Sequence, residues 1–196
     1  MMASNEYEID FSQRDPIEGV DQLFYQRWSP RAYQSKPVSD EKLQQIFDAA
    51  RWSQSCFNEQ PWLFITSKPK SQSTFVNLLV EGNQNWAKQA PVIGFVVARK
   101  NFLRNGNENA HAAFDAGSAW MALTLQARML GLYTHGMAGI QYEEVYIQFQ
   151  LDTEEYQVIC GFTLGYLDKP DTLPEEMRSK EQPSPRKALA EIWRQE

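Results

Sequence analysis

Ser53-Gln54-Ser55-Cys56-Phe57-Asn58-Glu59-Gln60-Pro61-Trp62 is a polar run set between two segments of different periodicity. Upstream, Leu43, Ile46, Phe47 and Ala50 recur at i, i+3, i+4 and i+7. Ser39 stands as N-cap, with Asp40 and Glu41 in the first turn, so the spacing predicts a one-stripe helix from about 40 to 52. Downstream, residues 62–66 are aromatic or branched and predict a buried strand. The run is therefore a helix-to-strand connection, but one rich in donors and acceptors: two hydroxyls, a thiol and three side-chain amides. Such side chains suit a binding site for something polar and flat. They equally suit a helix cap and a turn, and the run alone leaves both readings open.

Toward the N-terminus, Ile17, Val20, Leu23 and Phe24 fall near helical spacing behind Pro16, which predicts a first helix over 16–27. In Arg27-Trp28-Ser29-Pro30-Arg31 the proline disfavours helical geometry at Ser29, so the chain turns extended and alternate residues point one way. Arg27, Ser29 and Arg31 could then converge on one face. Two guanidinium groups beside a hydroxyl suit a phosphate, each charged hydrogen bond contributing about 1.5–3 kcal/mol. A solvated basic turn balanced by acids such as Asp21 accounts for the segment as well.

Toward the C-terminus, residues 71–81 read as an amphipathic helix closed by Gly82, and Asn83-Gln84-Asn85-Trp86 as a second amide-rich loop. The unbroken apolar run at 91–98 suits a strand covered on both faces. Residues 108–130 form the longest predicted helix, apolar or small on nearly every side. Its Ala112, Ala113, Ala116, Gly117 and Ala119 let another backbone approach, either within the chain or across a dimer seam. Residues 131–139 are punctuated by glycine without matching a GxGxxG or Walker pattern. A strand there, a short helix from Tyr142 and a strand over 158–166 follow. Residues 168–185, rich in Pro, Glu, Lys and Ser, then read as a surface arm. Ser184-Pro185-Arg186-Lys187 opens a terminal helix, which would set Arg186 in a first turn beside free N–H groups. This order of elements is that of an α+β chain with a small sheet among helices.

One domain accommodates 196 residues and a substantial apolar interior. A net charge of -6 and a pI near 5.1 lack the basic footprint that nucleic acid or an anionic membrane surface requires. Neither partner is expected, and any phosphate recognition must be local. Cys56, Cys160, His111 and His135 show no metal-ligand spacing, so no metal is expected. The N-terminus reads as lacking a secretory leader, and His111, Asp115, Gln126 and Arg128 interrupt the apolar window at 110–132; the expectation is a cytoplasmic protein. Ser118 lies mid-helix outside a GxSxG turn, and no nucleophile signature surrounds Cys56. His135 reads as a hydrogen-bonded loop or strand-end residue. Binding groups without an acid, base, nucleophile or metal set point to chemistry carried by an organic cofactor.

Arg27-x-Ser29-x-Arg31, followed by Ala-Ala-Arg-Trp-Ser-Gln-Ser-Cys-Phe-Asn-Glu-Gln-Pro-Trp at 49–62, resembles the FMN-dependent nitroreductase family. Gly131-Leu132 after the long helix, Gly161 and Gly165 near the last strand, and Pro185-Arg186-Lys187 fall where that family has corresponding features. The resemblance implies an α+β, nitroreductase-like fold: a central, mostly antiparallel sheet surrounded by helices, with an extended C-terminal arm. It implies a single domain over 1–196, whose segment 168–196 packs on the partner subunit of a homodimer. One FMN would occupy each of two sites built from both subunits. By the resemblance Arg27, Ser29, Arg31 and Arg186 would hold the flavin phosphate, with Trp28 in the same cofactor-binding segment. Gln54, Ser55 and Cys56 would reach the flavin from the partner subunit, and Asn58 would lie near the ring or order the loop. Asn83 would meet the pyrimidine edge, and the N–H groups of Ala138 and Gly139 would face N5 and O4, with no catalytic side chain required. The implied activity is reduction of FMN by NAD(P)H, then of a small organic acceptor such as a nitroaromatic, quinone or enone. A flavin store or sensor without turnover is an alternative, as is a relative that fragments flavin or removes halogen. The sequence departs from the family in having Gln54 where proline is common and Cys56 where a second serine is common. The connection from Ala98 to the long helix is also brief.

Overall fold

The computed structural model describes residues 7–196; the leader reading falls mostly on residues 1–6, outside the described residues. Four antiparallel strands form one sheet in the order β1-β2-β4-β3, with β1 Trp62–Thr66, β2 Val92–Arg99, β3 Tyr133–Met137 and β4 Tyr156–Gly165. Strand β2 is buried along all but its last residue, as its unbroken apolar run predicts. Ile93, Phe95 and Val97 share one core with Phe75 of α3 (Gln72–Asn77) and Trp86 of α4 (Glu81–Ala87). On the opposite face Val92 and Leu164 meet Ile46 and Ala50 of α2 (Asp40–Arg51) and Ala119, Leu123 and Ala127 of α5 (Ala112–Met129). Helix, sheet and helix thus form three layers.

Packing between the layers leaves no slack at Gly94. A Cβ there would press on the Phe162 ring and stand 2.7 Å from the Ile65 carbonyl oxygen. Gly94→Ala is expected to destabilise the fold by about 1–3 kcal/mol, as overpacked cores do. The measurement is a lower urea midpoint at unchanged m value; an unmoved midpoint would mean that the strand shifts freely.

Three predicted helices are redrawn. The first shrinks from 16–27 to α1 (Gln22–Gln26), because Gly19 takes a left-handed turn at φ 90° and Asp21 caps from Oδ1, accepting the Leu23 N–H at 2.8 Å. The helix predicted over 71–81 stops at Asn77 and restarts as α4, with Gly82 inside it, so the amides at 83–85 are helical rather than looped. Tertiary pairing causes the break: Leu79 bridges Ile140, and the Val80 N–H donates to the Gly139 carbonyl at 3.1 Å. After α6 (Tyr142–Gln148) and α7 (Glu175–Arg178), the terminal helix is only α8 (Leu189–Ile192), so Arg186 precedes it rather than sitting in its first turn. In the arm, Leu173, Glu181 and Pro183 are buried against the body, whereas residues 184–196 are exposed. No helix among the described residues is long and apolar enough to cross a membrane.

Candidate functional site

Arg27 follows the last turn of α1, and its Nη1 donates to Ser29 Oγ at 3.3 Å. Arg14, which no sequence pattern singles out, reaches the same place. Its Nη1 donates to the Tyr25 carbonyl at 3.3 Å, while its Nε and Nη2, both shut off from solvent, have no hydrogen-bond partner among the described residues. Arg14 and Arg186 line one cleft of about 400 Å³. Burial, then the charge of Arg186, then that of Arg14, hold Arg27 below the usual arginine range; burial and Arg186 do the same to Arg14. Arg186 itself bonds only to its neighbours, Ser184 Oγ and the Ser184 and Pro185 carbonyls. Asp15 lines the cleft, yet among the described residues none of the three guanidinium groups pairs with a carboxylate. Clustered cations of this kind are suited to an anion that balances them.

Arg31 is diverted from that cluster. Its Nη1 lies 3.7 Å from Oε2 of Glu181, a fully buried carboxylate of the arm. The other carboxylate oxygen accepts the N–H groups of Arg31 and Ala32, the latter at 2.9 Å. Burial raises the Glu181 pKa, opposed by those N–H groups and by Arg31. The expected convergence of Arg27, Ser29 and Arg31 is therefore realised for the first two. Trp28 points into the core, edge-on to Tyr133 at 6.3 Å and 72°, with its indole N–H unpartnered.

From this cationic end a continuous strip runs along β3. His135 Nδ1 lies 3.0 Å from the Pro30 carbonyl, which assigns the proton to that nitrogen, and the ring packs on Trp86 at 4.7 Å. Burial, opposed by the bond to Pro30, pushes the His135 pKa down to about 4, so the imidazole is neutral near pH 7. Trp86 Nε1 donates to Asn83 Oδ1 at 3.3 Å, and Asn83 Nδ2 donates to the Gly139 carbonyl at 2.9 Å. A Cβ on Gly139 would stand 2.5 Å from Asn83 Nδ2 and 2.8 Å from Val80 Cγ2, so only glycine lets the strand end approach α4 this closely. The Ala138 carbonyl accepts from Ile140, but the N–H groups of Ala138 and Gly139 donate to no acceptor among the described residues. The chain is extended from His135 to Met137 and bends at Ala138, so Gly139 lies within about 13 Å of His135. One end of the strip offers guanidinium groups and the other free backbone N–H groups beside an amide.

The Gln54–Asn58 part of the opening loop lies elsewhere. It leads into β1 at one edge of the sheet, whereas Pro30 and His135 lie at β3, the other edge, and Tyr33 bridges Leu167 past the far end of β4. About three strand spacings, roughly 14 Å, separate those edges, and the antiparallel register puts the two segments at diagonal corners. Within one chain, then, Gln54, Ser55, Cys56 and Asn58 do not meet Arg27, Asn83 or Gly139. The loop is also strained: Phe57, Asn58 and Gln60 have φ of 51°, 59° and 49°. Left-handed geometry costs about 1–3 kcal/mol at a non-glycine residue and persists only where the surroundings impose it. Here the Cys56 N–H donates to the buried Asp115 carboxylate at 3.0 Å, and Ser55 Oγ accepts the Gln60 N–H at 3.0 Å. Glu59 accepts the Leu103 N–H at 3.0 Å. Gln54 and Asn58 are exposed, and Ser53 Oγ is buried without a partner. Asp115, the one acid on α5, was the available signal for this anchor; Arg14 and Glu181, set in polar segments, carried none.

Comparison with known proteins bears on this geometry. A model of the Nitroreductase family matches residues 25–80 and 66–166. The FMN reductase [NAD(P)H] of Bacillus subtilis strain 168 is 28% identical over 154 residues, which cover 70% of this chain and 61% of that protein. A solved structure described as an oxidoreductase containing FMN is 37% identical, with a TM-score of 0.86 over 92% of this chain and 93% of that one. A nitroreductase family protein from Clostridium difficile 630 has the same fold, at 24% identity and a TM-score of 0.67, covering 88% of this chain and 95% of that one.

Proposed function

The chain belongs to the nitroreductase family, and from that premise we propose that the β3 strip holds FMN, phosphate at the arginines and ring at Ala138 and Gly139. It is an NAD(P)H-dependent FMN oxidoreductase. The observation that carries the placement is the presence of orphaned, buried guanidinium donors on Arg14 at the cationic end and of unclaimed backbone N–H groups at Ala138 and Gly139. Bound FMN would supply the redox chemistry, taking hydride from NAD(P)H and passing electrons, in a second half-reaction, to a small organic acceptor such as a nitroaromatic, quinone or enone.

The protein's own part is binding and orientation. Arg27, Arg186 and Ser29 would fix the phosphate, Arg31 being partly committed to Glu181. Asn83, pinned between Trp86 and Gly139, sets the peptide whose N–H groups would donate where negative charge develops on reduction. Neutral His135 spaces the two ends without adding charge. The Gln54–Asn58 loop would reach the ring from the partner subunit of a homodimer, since its own chain keeps it at the opposite corner. Residues 184–196, exposed here, would lie on that partner as well. A cytoplasmic location, where NAD(P)H is at hand, accompanies this reading.

The purified protein should be yellow or take up FMN to become so, and anaerobic mixing with NADH or NADPH should bleach it within the turnover time. Flavin that stays oxidised with both nucleotides would identify a store instead of a reductase. Colourless protein that binds no added FMN would remove the proposal.

A further inference from the structure

We infer that Arg14 is a ligand of the flavin phosphate, so that three guanidinium groups, from Arg14, Arg27 and Arg186, surround that end of the cofactor. The inference rests on the FMN reading above. Its ground is the geometry of one side chain. Tyr25 fixes Arg14 through Nη1, and the groups left over are Nε and Nη2, which share one edge of the planar guanidinium group. Those two N–H groups form the side-on fork that matches two oxygens of a phosphate. Both are buried and unpartnered, a state that native proteins rarely tolerate without a ligand or water to relieve it.

Among the described residues the surroundings offer no competing partner. Asp15 lines the cleft without pairing to Arg14, and Glu181 is taken up by Arg31 and two backbone N–H groups. Glu181 also explains why a further arginine is needed: Arg31, the second guanidinium of the sequence motif, is held toward the arm. Arg14 and Arg186 both fall outside the stretch at 25–166 that matches the family, one on each side. Arg186 is the arginine that the family resemblance already implies, whereas Arg14 belongs to no motif of that resemblance.

The test titrates apoprotein with FMN and with riboflavin, following flavin fluorescence, for wild type, Arg14→Met, Arg14→Lys and Arg27→Ala. Arg14→Met should weaken FMN binding about tenfold to a hundredfold, the range for one forked charged contact, and leave riboflavin within about twofold. Arg14→Lys keeps the charge without the fork and should fall between. The melting temperature of the apoprotein separates this role from a structural one. Removing a crowded, unpartnered cation should leave it unchanged or higher, whereas loss of a structural arginine would lower it. FMN affinity unaltered in both Arg14 variants but lost in Arg27→Ala would overturn the inference and spare the cofactor placement. Unaltered FMN affinity in all variants would overturn both.

Discussion

Arg27→Ala weakens FMN binding about a hundredfold to a thousandfold and leaves riboflavin binding within about twofold: this is the largest cofactor effect expected. Arg27 is half-buried and already positioned by Ser29 Oγ at 3.3 Å, so little entropy is lost when it meets a ligand. A phosphate there would accept charged hydrogen bonds of about 1.5–3 kcal/mol each, and the substitution also removes one of the charges that balance a dianion. Solvent screening is weak in such a setting, in contrast to an exposed pair. Riboflavin lacks the phosphate and so reports the remaining contacts alone. Equal losses for the two ligands, measured by fluorescence titration, would show that Arg27 supports the fold of the turn and not the phosphate.

Gly117→Glu is expected to convert a flavin-loaded dimer into a flavin-poor monomer that keeps its helical circular dichroism. Gly117 lies in the middle of α5 on its exposed side, and a Cβ there meets nothing within 4 Å. A lone chain would accept glutamate, with a helix-propensity gain of about 0.5–1 kcal/mol. The same side of α5 carries Ala113, Phe114 and Met121, with Phe114 72% exposed. Such a stripe is what two close-packed helices would cover, and twofold symmetry would bury two new carboxylates for each dimer. Each would cost several kcal/mol unless paired. The Gln54–Asn58 loop of each chain would then be withdrawn from its neighbour's ring. Sedimentation and the bound-flavin absorbance should fall together; a yellow dimer carrying Gly117→Glu would place the seam elsewhere.

Elements whose bonds are local were legible in the sequence. Strand β1 begins and ends where its residues turn aromatic and branched, and α2 begins after its Ser39 cap, whose Oγ accepts the Lys42 N–H at 3.4 Å. What failed depended on distant partners. No local pattern shows that residues 78–80 will pair with 139–140 and cut a helix in two, or that Gly82 will lie inside the next one. The motif Arg27-x-Ser29-x-Arg31 lies in non-helical chain after α1, as Pro30 predicts. Which arginine stays free was fixed by Glu181, 150 residues away from Arg31. The polar loop at 53–62 was recognised by composition, yet its strain and its anchor on Asp115 are properties of the folded chain.

The cationic cluster also has an order of assembly in time. Arg14 and Arg27 are made early, whereas Arg186 follows Arg27 by 159 residues, which is 186 less 27. At about 5–20 residues per second that interval is roughly 8–30 s of translation. The β1–β2 pair can therefore form in a nascent chain while only two of the three mutually repelling charges exist. The third arrives after β4, carried on the arm that Glu181 fastens to the turn. The third guanidinium is in this way the last of the cluster to be made.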